Sequence, residues 1–290
     1  MIKKTAGEHV FDAFNVVIMI ILCIVTIYPI YYVIIASITA PDELIAHSGI
    51  LLYPKTLDFI SYKLVLEYPM LFTSYKNTII YVVSCTSLNI LLTAFGGYGL
   101  SRKGVPGTGF IMFMITVTMF FSGGLIPRFL LVQNLNLMDT IWAIMLPSAI
   151  GTTNLIIMRT AFKNVPAAME ESARIDGAND FVILFKIMIP MSMATISVLI
   201  LFYAVSHWNE FFNPMIYLKT REKYPLQLIL RELLITNSTD SVMGDVDEKS
   251  SVAQVIKYST IVVSTIPILL VYPFLQRYFT KGVMIGAIKG

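Results

Sequence analysis

Six stretches of the chain contain no Asp, Glu, Lys or Arg, and each is about as long as a helix that crosses a bilayer. A bilayer core about 30 Å thick requires about 20 helical residues, because each residue advances a helix by about 1.5 Å. The stretches are 16–38, 77–100, 105–127, 140–158, 187–206 and 258–276. They predict an all-α polytopic membrane protein with about six transmembrane helices.

The composition excludes the other broad classes. Of the 290 residues, 56% are hydrophobic and 13% are charged, whereas about a quarter of a soluble domain is charged. The 18 Phe and 15 Tyr residues exclude a disordered chain. A net charge of +3 gives no broad cationic field, so we expect no nucleic-acid partner.

Several prolines lie inside the charge-free stretches, among them Pro29, Pro147, Pro267 and Pro273. In a membrane bundle, neighbouring helices can satisfy the backbone carbonyls that a proline frees. We therefore expect these prolines to kink the helices without breaking them.

The positions of the basic residues predict the orientation. Six spans place both termini on one side, and the basic residues of that side lie in short segments directly against the membrane. Many basic residues of the other side lie in the long stretch 207–257, which can cross a membrane largely regardless of its charge. We expect both termini to be cytoplasmic, with 159–186 inside and 39–76 and 207–257 outside.

The segment 164–190 predicts a short helix, a tight turn and a second helix that leads into the fifth span. Pro166 suits a helix start, residues 167–175 are mostly good helix formers, and Gly177 can end the helix in a left-handed conformation. Asn179 or Asp180 can cap the second helix. Its apolar positions recur at helical spacing, at Phe181, Leu184, Phe185 and Met188. Such an element either lies on the membrane surface or docks into a soluble partner.

This segment resembles the cytoplasmic loop of permease subunits in binding-protein-dependent ABC importers. Their pattern is Glu-Ala-Ala, three residues, Gly, nine residues, Ile, one residue and Leu-Pro. The chain matches both spacings with Glu171-Ser172-Ala173, Gly177, Ile187 and Ile189-Pro190. Ser172 and Ile189 depart from the pattern, but both changes are small.

Two further stretches are similar to the carbohydrate-importing branch, the relatives of the second maltose-transporter permease subunit. Residues 93–103 read TAFGGYGLSRK and resemble the exit of its second span. Residues 272–279 read YPFLQRYF, with KG at 281–282 and GAIKG at 286–290, and resemble its tail. The similarity covers nearly the whole chain and is strongest over 77–290.

The resemblance implies a conduit rather than an enzyme, with the type I ABC-importer permease fold, in the inner membrane of a bacterial cell. It implies a second homologous permease subunit, two ATPase subunits and an extracellular solute-binding protein as partners, besides membrane lipid and a carbohydrate substrate, most plausibly an oligosaccharide. The chain contains no Gly-x-x-x-x-Gly-Lys-Ser/Thr loop. We therefore expect no cofactor here, with ATP and Mg²⁺ bound by the partner ATPase.

Two alternative functions differ from a carbohydrate importer in the substrate or in the energy source. In the first, the same kind of ABC importer carries a solute other than a sugar. An ion-coupled secondary carrier would need ionisable residues within the spans, and the six stretches contain no charged residue. The three histidines show no spacing typical of a metal site.

By the same resemblance, six residues lie at or near the groove of the ATPase: Glu170, Glu171, Ala173, Arg174, Asp176 and Gly177. Gly177 would be the pivot of the loop. The alternative is that Glu171 and Arg174, three residues apart, pair with each other on a solvated helix face.

The outer end of the fifth span offers a second candidate site. Trp208, Asn209 and Glu210 could line the mouth of the translocation pathway, where rings and polar groups suit sugar hydroxyls. Alternatively, Trp208 belongs to an interfacial aromatic belt. Further along, the spacing of Leu226, Ile229, Leu230, Leu233 and Leu234 predicts an amphipathic helix over 224–234. After it comes a polar, acidic connection, 236–251. The resemblance implies that this connection contacts the binding protein, and the alternative is a plain solvated connection.

We predict three regions. Residues 1–72 form the first transmembrane helix and the first outer loop. Residues 73–280 form the transmembrane core, with the coupling loop at 159–190. Residues 281–290 form a cytoplasmic tail.

Overall fold

The computed structural model describes residues 6–47, 49–102, 104–243, 255–267 and 269–270. Within these ranges the regular structure is helical, apart from one isolated antiparallel bridge between Thr39 and Leu57. The predicted all-α class is therefore confirmed.

The helices of the first half are α1 (Ala6–Ser37), α2 (Pro41–Ala46), α3 (Ile60–Leu66), α4 (Leu71–Ser101), α5 (Thr108–Phe120), α6 (Leu125–Asn134) and α7 (Trp142–Met145). Those of the second half are α8 (Thr152–Lys163), α9 (Ala167–Ile175), α10 (Asp180–Ile183), a π-helical turn (Leu184–Met188), α11 (Ile189–Met191), α12 (Met193–Trp208), α13 (Phe212–Tyr217), a 3₁₀ turn (Arg221–Lys223), α14 (Leu226–Met243) and α15 (Val255–Pro267).

The chain forms two compact units. The first consists of the described residues within 1–71 and 230–266, and the second of those within 72–229 and 267–290. In the first unit, buried serines connect three helices, because the Ser61 hydroxyl of α3 lies 2.6 Å from that of Ser259 in α15 and both approach the Ser37 carbonyl of α1 at 3.3 Å. The second unit contains the segment that the sequence singles out.

Two of the described helices are long and apolar enough to cross a membrane alone: Gly7–Ser37 and Leu71–Ser101, of 31 residues each. They contain nearly all of the first predicted span and the whole of the second. Two bent pairs raise the number to four if each pair is one span. The pair α5 and α6 is bent by 113°, and the pair 180–191 and 193–208 by 86°.

The fourth charge-free stretch, 140–158, is two helices rather than one. Helix α7 ends at Met145 and α8 begins at Thr152, with Pro147 in the connection. Pro147 has no N–H with which to continue the helix. The expectation that it only kinks a helix is therefore wrong, whereas Pro29 lies within the continuous helix α1.

Side chains of two neighbouring helices satisfy the backbone of this break. The Asn89 amide of α4 donates to the Ser148 carbonyl at 2.5 Å. The Gly151 N–H donates to the Tyr203 hydroxyl of α12 at 3.0 Å. Asn89 also contacts the buried His207 ring, at 2.8 Å from Nε2. Polar side chains thus provide the partners that a broken helix needs inside a membrane protein.

Helices α4 and α8 pack closely because α4 presents glycines to α8. A Cβ atom on Gly97 would lie 2.8 Å from Met158 Cγ, and one on Gly96 would lie 2.9 Å from Leu155 Cδ1. Small residues at such positions let two backbones approach within a membrane. Beside this contact lies a buried cluster formed by Ala94, Tyr98, Met158, Phe162, Ile183, Leu184, Met188, Ile196 and Leu199.

The amphipathic helix predicted over 224–234 is present and is longer than expected. Helix α14 begins at Leu226 and continues to Met243, so the first part of the predicted polar connection is helical. Within the predicted stripe, Leu226, Ile229 and Leu230 are buried and Leu233 is half-buried. Leu228, which does not belong to the stripe, is also buried. The rest of the predicted connection, 244–251, lies outside the described residues, as do 271–276 of the sixth span and the tail 281–290.

Candidate docking and coupling site

The candidate site is the segment 166–183, which we call the elbow. Helix α9 begins directly after Pro166 and ends before Asp176. Gly177 then has a φ of +81°, a left-handed conformation that glycine adopts without strain. The Gly177 N–H donates to the Arg174 carbonyl at 3.1 Å, and the Ala178 N–H to the Ala173 carbonyl at 2.9 Å. This pair of bonds is the Schellman motif, so the predicted turn is confirmed.

The second helix of the elbow starts where the sequence predicts. The Asn179 side chain accepts a hydrogen bond from the Val182 N–H at 2.9 Å and caps α10. A π-helical turn follows at 184–188, two residues before Pro190. Pro190 has no N–H for a regular helical bond, and a π turn is one way in which a helix accommodates such a gap.

The predicted apolar stripe of this helix divides into two groups. Leu184 and Met188 are buried in the cluster beside α8. Phe181 and Phe185 remain 66% and 46% exposed and contact Phe95 of α4 edge to face, with ring centroids 6.3 and 6.0 Å apart. The helix therefore packs through two adjacent faces rather than one.

The six predicted docking residues lie together on the elbow but point in different directions. Glu171 and Asp176 are exposed. Ala173 is half-buried and packs against the protein's own core cluster. Ile175, which lies between Glu171 and Asp176 in the sequence, is 86% exposed. The Ile175 side chain and the carboxylates of Glu171 and Asp176 are therefore accessible to a partner.

Glu170 and Arg174 bind other residues of the same chain. The Arg174 guanidinium donates to Glu170 Oε1 at 3.0 Å and to Asp180 Oδ1 at 2.6 Å. The second oxygen of Glu170 accepts from Arg102, the residue directly after α4. Arg174 thus pairs with Glu170, not with Glu171 as the alternative interpretation expects.

The second candidate site, at the end of α12, consists of residues that occupy helix ends. The Asn209 amide donates to the Val205 carbonyl at 2.9 Å. Glu210 Oε1 accepts from the N–H of Asn213 in α13 at 3.2 Å. The indole N–H of Trp208 is buried without a hydrogen-bond partner among the described residues, and its ring lies 6.4 Å from that of Tyr75. The role of these residues at a pathway mouth stays a prediction.

Asp139 is a structural residue that the sequence analysis missed. Its carboxylate accepts from the Lys223 ammonium at 2.7 Å, from the Thr220 hydroxyl at 2.6 Å, and from the N–H groups of Thr220 and Lys219 at 3.0 Å. These hydrogen bonds hold the pKa of the Asp139 carboxyl well below its usual range, and the bond from Lys223 has the largest effect. They attach the loop after α6 to the segment before α14.

Comparison with known proteins assigns this arrangement to a class. The chain is 39% identical over 287 residues to the polygalacturonan/rhamnogalacturonan transport system permease protein YtcP of Bacillus subtilis, covering 98% of this chain and 99% of YtcP. It is 37% identical to protein LplC of the same organism, covering 99% and 97% of the two chains.

A solved structure has the same fold. It is the crystal structure of a bacterial ABC transporter involved in the import of the acidic polysaccharide alginate, one chain of which matches with a TM-score of 0.85 and 32% identity. The match covers 96% of this chain and 100% of that one.

The fold and these similarities define a permease subunit of an ABC transporter, which is a transport protein and not an enzyme. Residues 90–285 match the family described as binding-protein-dependent transport system inner membrane component, and the chain belongs to that family. The resemblance inferred from the sequence is confirmed, and the family is not that of an ion-coupled carrier.

Proposed function

We propose that the chain is the permease subunit of an ATP-driven oligosaccharide importer and forms half of the translocation path with a homologous, different subunit. In this proposal both termini are cytoplasmic, two ATPases bind on that side, and a solute-binding protein delivers the substrate from outside. The full-length similarity to YtcP is the observation that carries the proposal.

We further propose that the substrate is an acidic oligosaccharide containing uronic acid units. Two matches support this class: YtcP is named for polygalacturonan and rhamnogalacturonan, and the solved transporter is involved in the import of the acidic polysaccharide alginate. The polysaccharides named in both matches contain sugar units that carry carboxylates.

Uptake by a reconstituted complex tests both proposals. The complete transporter, in liposomes with ATP inside and the binding protein outside, is expected to accumulate oligogalacturonides and to transport carboxyl-reduced chains of equal length much less. Preference for the neutral chains would overturn the acidic substrate class alone. Preference for a solute that is not a sugar would overturn the carbohydrate assignment, and uptake that continues without the ATPases would overturn the importer itself.

The exposed face of the elbow is proposed as the surface that contacts the ATPase. Glu171, Ile175 and Asp176 form this face, while Glu170 and Arg174 hold the elbow in position behind it. The exposed carboxylates disfavour the alternative of a membrane-surface helix, because such helices carry Lys and Arg toward anionic lipids. A groove with basic residues is the complementary partner surface.

Replacing Ile175 by alanine is expected to weaken binding of the ATPase, because it removes the apolar contact without changing the charge of the face. The side chain has little contact with its own chain, so the fold is preserved. A buried interface anchor is worth about 2 kcal/mol, roughly 30-fold in Kd. The binding of purified ATPase to the permease complex measures the effect. Ile45→Ala makes the same change at an exposed isoleucine of α2 and is expected to leave binding unchanged. Equal binding by both variants would contradict the docking assignment.

A further inference from the structure

Five side chains form a closed ring where α4 meets the elbow. Within this ring the Tyr98 hydroxyl donates to Asp180 Oδ1 at 3.0 Å. Asp180 pairs with Arg174, Arg174 with Glu170, and Glu170 with Arg102. The Arg102 guanidinium then lies over the face of the Tyr98 ring, 4.7 Å from its centroid, which closes the ring.

The links of this ring differ in how far they are shielded from water. The Arg102 and Glu170 side chains are 16% and 17% exposed, whereas those of Arg174 and Asp180 are 49% and 62% exposed. Exposed ion pairs contribute little, but a shielded pair is costly to break because one charge is left without a partner. The pair of Arg102 with Glu170 is therefore the firm link between α4 and α9.

Arg102 joins a third helix as well. Its Nη2 lies 3.5 Å from the carbonyl of Phe162 in α8. The planar guanidinium can serve these partners together, since it carries several N–H donors in a fixed fork and a face that stacks on aromatic rings. Lysine offers one charge but not that geometry.

From this geometry we infer that the ring fastens the elbow to the end of α4, so that α4 moves with the elbow when the ATPase moves it. Tyr98 and Arg102 are then positioning residues for transport. This inference rests on the proposed coupling of the elbow to an ATPase. The backbone connects the elbow to α8 on one side and to α12 on the other. The ring adds a connection through side chains to α4.

Two variants test the inference in the complete reconstituted transporter, with ATP hydrolysis and substrate uptake measured on the same liposomes. Arg102→Gln removes the firm link, and Asp180→Asn weakens the ring at an exposed position where the fold tolerates change. Both are expected to keep ATP hydrolysis while the uptake per ATP hydrolysed falls, by about tenfold for Arg102→Gln. Arg102→Lys keeps the charge and is expected to restore part of the ratio.

Arg159→Gln is the matched control. Arg159 donates to the Leu100 carbonyl at the same end of α4, at 2.8 Å, but does not belong to the ring. Its replacement is expected to leave the uptake per ATP unchanged. A normal ratio in Arg102→Gln, or an equal loss in Arg159→Gln, overturns the inference. If Arg102→Gln does not assemble, a normal ratio in Asp180→Asn overturns it.

A distance measurement separates fastening from a general loss of structure. Spin labels at the exposed positions Val105 and Ala168 report the separation between the region after α4 and α9. The distance distribution is expected to stay narrow with and without ATP in the unmodified ring, and to broaden in Arg102→Gln. An unchanged distribution in that variant also overturns the inference. Failure of the proposed function can be distinguished from failure of this inference, because the unmodified transporter would then show no ATP-driven uptake.

Discussion

Replacing Gly177 by proline is expected to abolish substrate uptake while the protein remains in the membrane and its ATPase partner continues to hydrolyse ATP. Gly177 has a φ of +81°, and proline fixes φ near −65°, so the turn between α9 and α10 cannot form. Proline also lacks the N–H that now donates to the Arg174 carbonyl. The elbow would lose the angle between its two helices, and with it the contacts that place Arg174 beside Asp180.

The same substitution at Gly107 is the control for this prediction. Gly107 also has a left-handed φ, +76°, and a side chain there would meet nothing within 4 Å, as at Gly177. Gly107→Pro is expected to disturb the start of α5 but to leave the uptake per ATP hydrolysed close to that of the unmodified transporter. Undiminished uptake by Gly177→Pro would refute the role of the turn, and equal losses in both variants would show only a general sensitivity to backbone strain.

The elbow could be predicted from the sequence because short-range rules determine it. Pro166 at a helix start, Gly177 at a left-handed position and Asn179 as a cap each act within a few residues. The structure confirms all three. The function could be inferred for the same reason, since the family pattern begins within the elbow and ends shortly after it, at Pro190.

The partners of the elbow could not be predicted, because they come from distant parts of the chain. Arg102 lies 68 residues before Glu170, and nothing in the spacing of either segment indicates the contact. One signal was available: Arg102 is the first charged residue after a long charge-free stretch, and it follows Tyr98 by one helical turn. The break at Pro147 was missed for a similar reason, since the groups that stabilise it belong to α4 and α12.

Replacing Gly97 by alanine is expected to destabilise the second unit, because α4 and α8 are in contact at this glycine. A Cβ atom there would lie 2.8 Å from Met158 Cγ and 3.2 Å from both Met158 Cβ and the backbone nitrogen of Arg159. None of these atoms is the free end of a side chain, so the helices must separate. Overpacking of this kind costs about 1–3 kcal/mol. The thermal unfolding midpoint in detergent measures the loss.

Alanine substitutions at two further glycines of α4, Gly96 and Gly99, extend this prediction to an order of stability among three variants. The Cβ of Gly96→Ala would meet only the terminal Cδ1 of Leu155, at 2.9 Å, which a rotation of that side chain can relieve. The Cβ of Gly99→Ala would meet nothing within 4 Å. All three changes gain about 1 kcal/mol of helix propensity, so the differences between them report the contact with α8. The expected order of stability is Gly99→Ala above Gly96→Ala above Gly97→Ala. If Gly97→Ala were as stable as Gly99→Ala, α4 and α8 would not touch at this point.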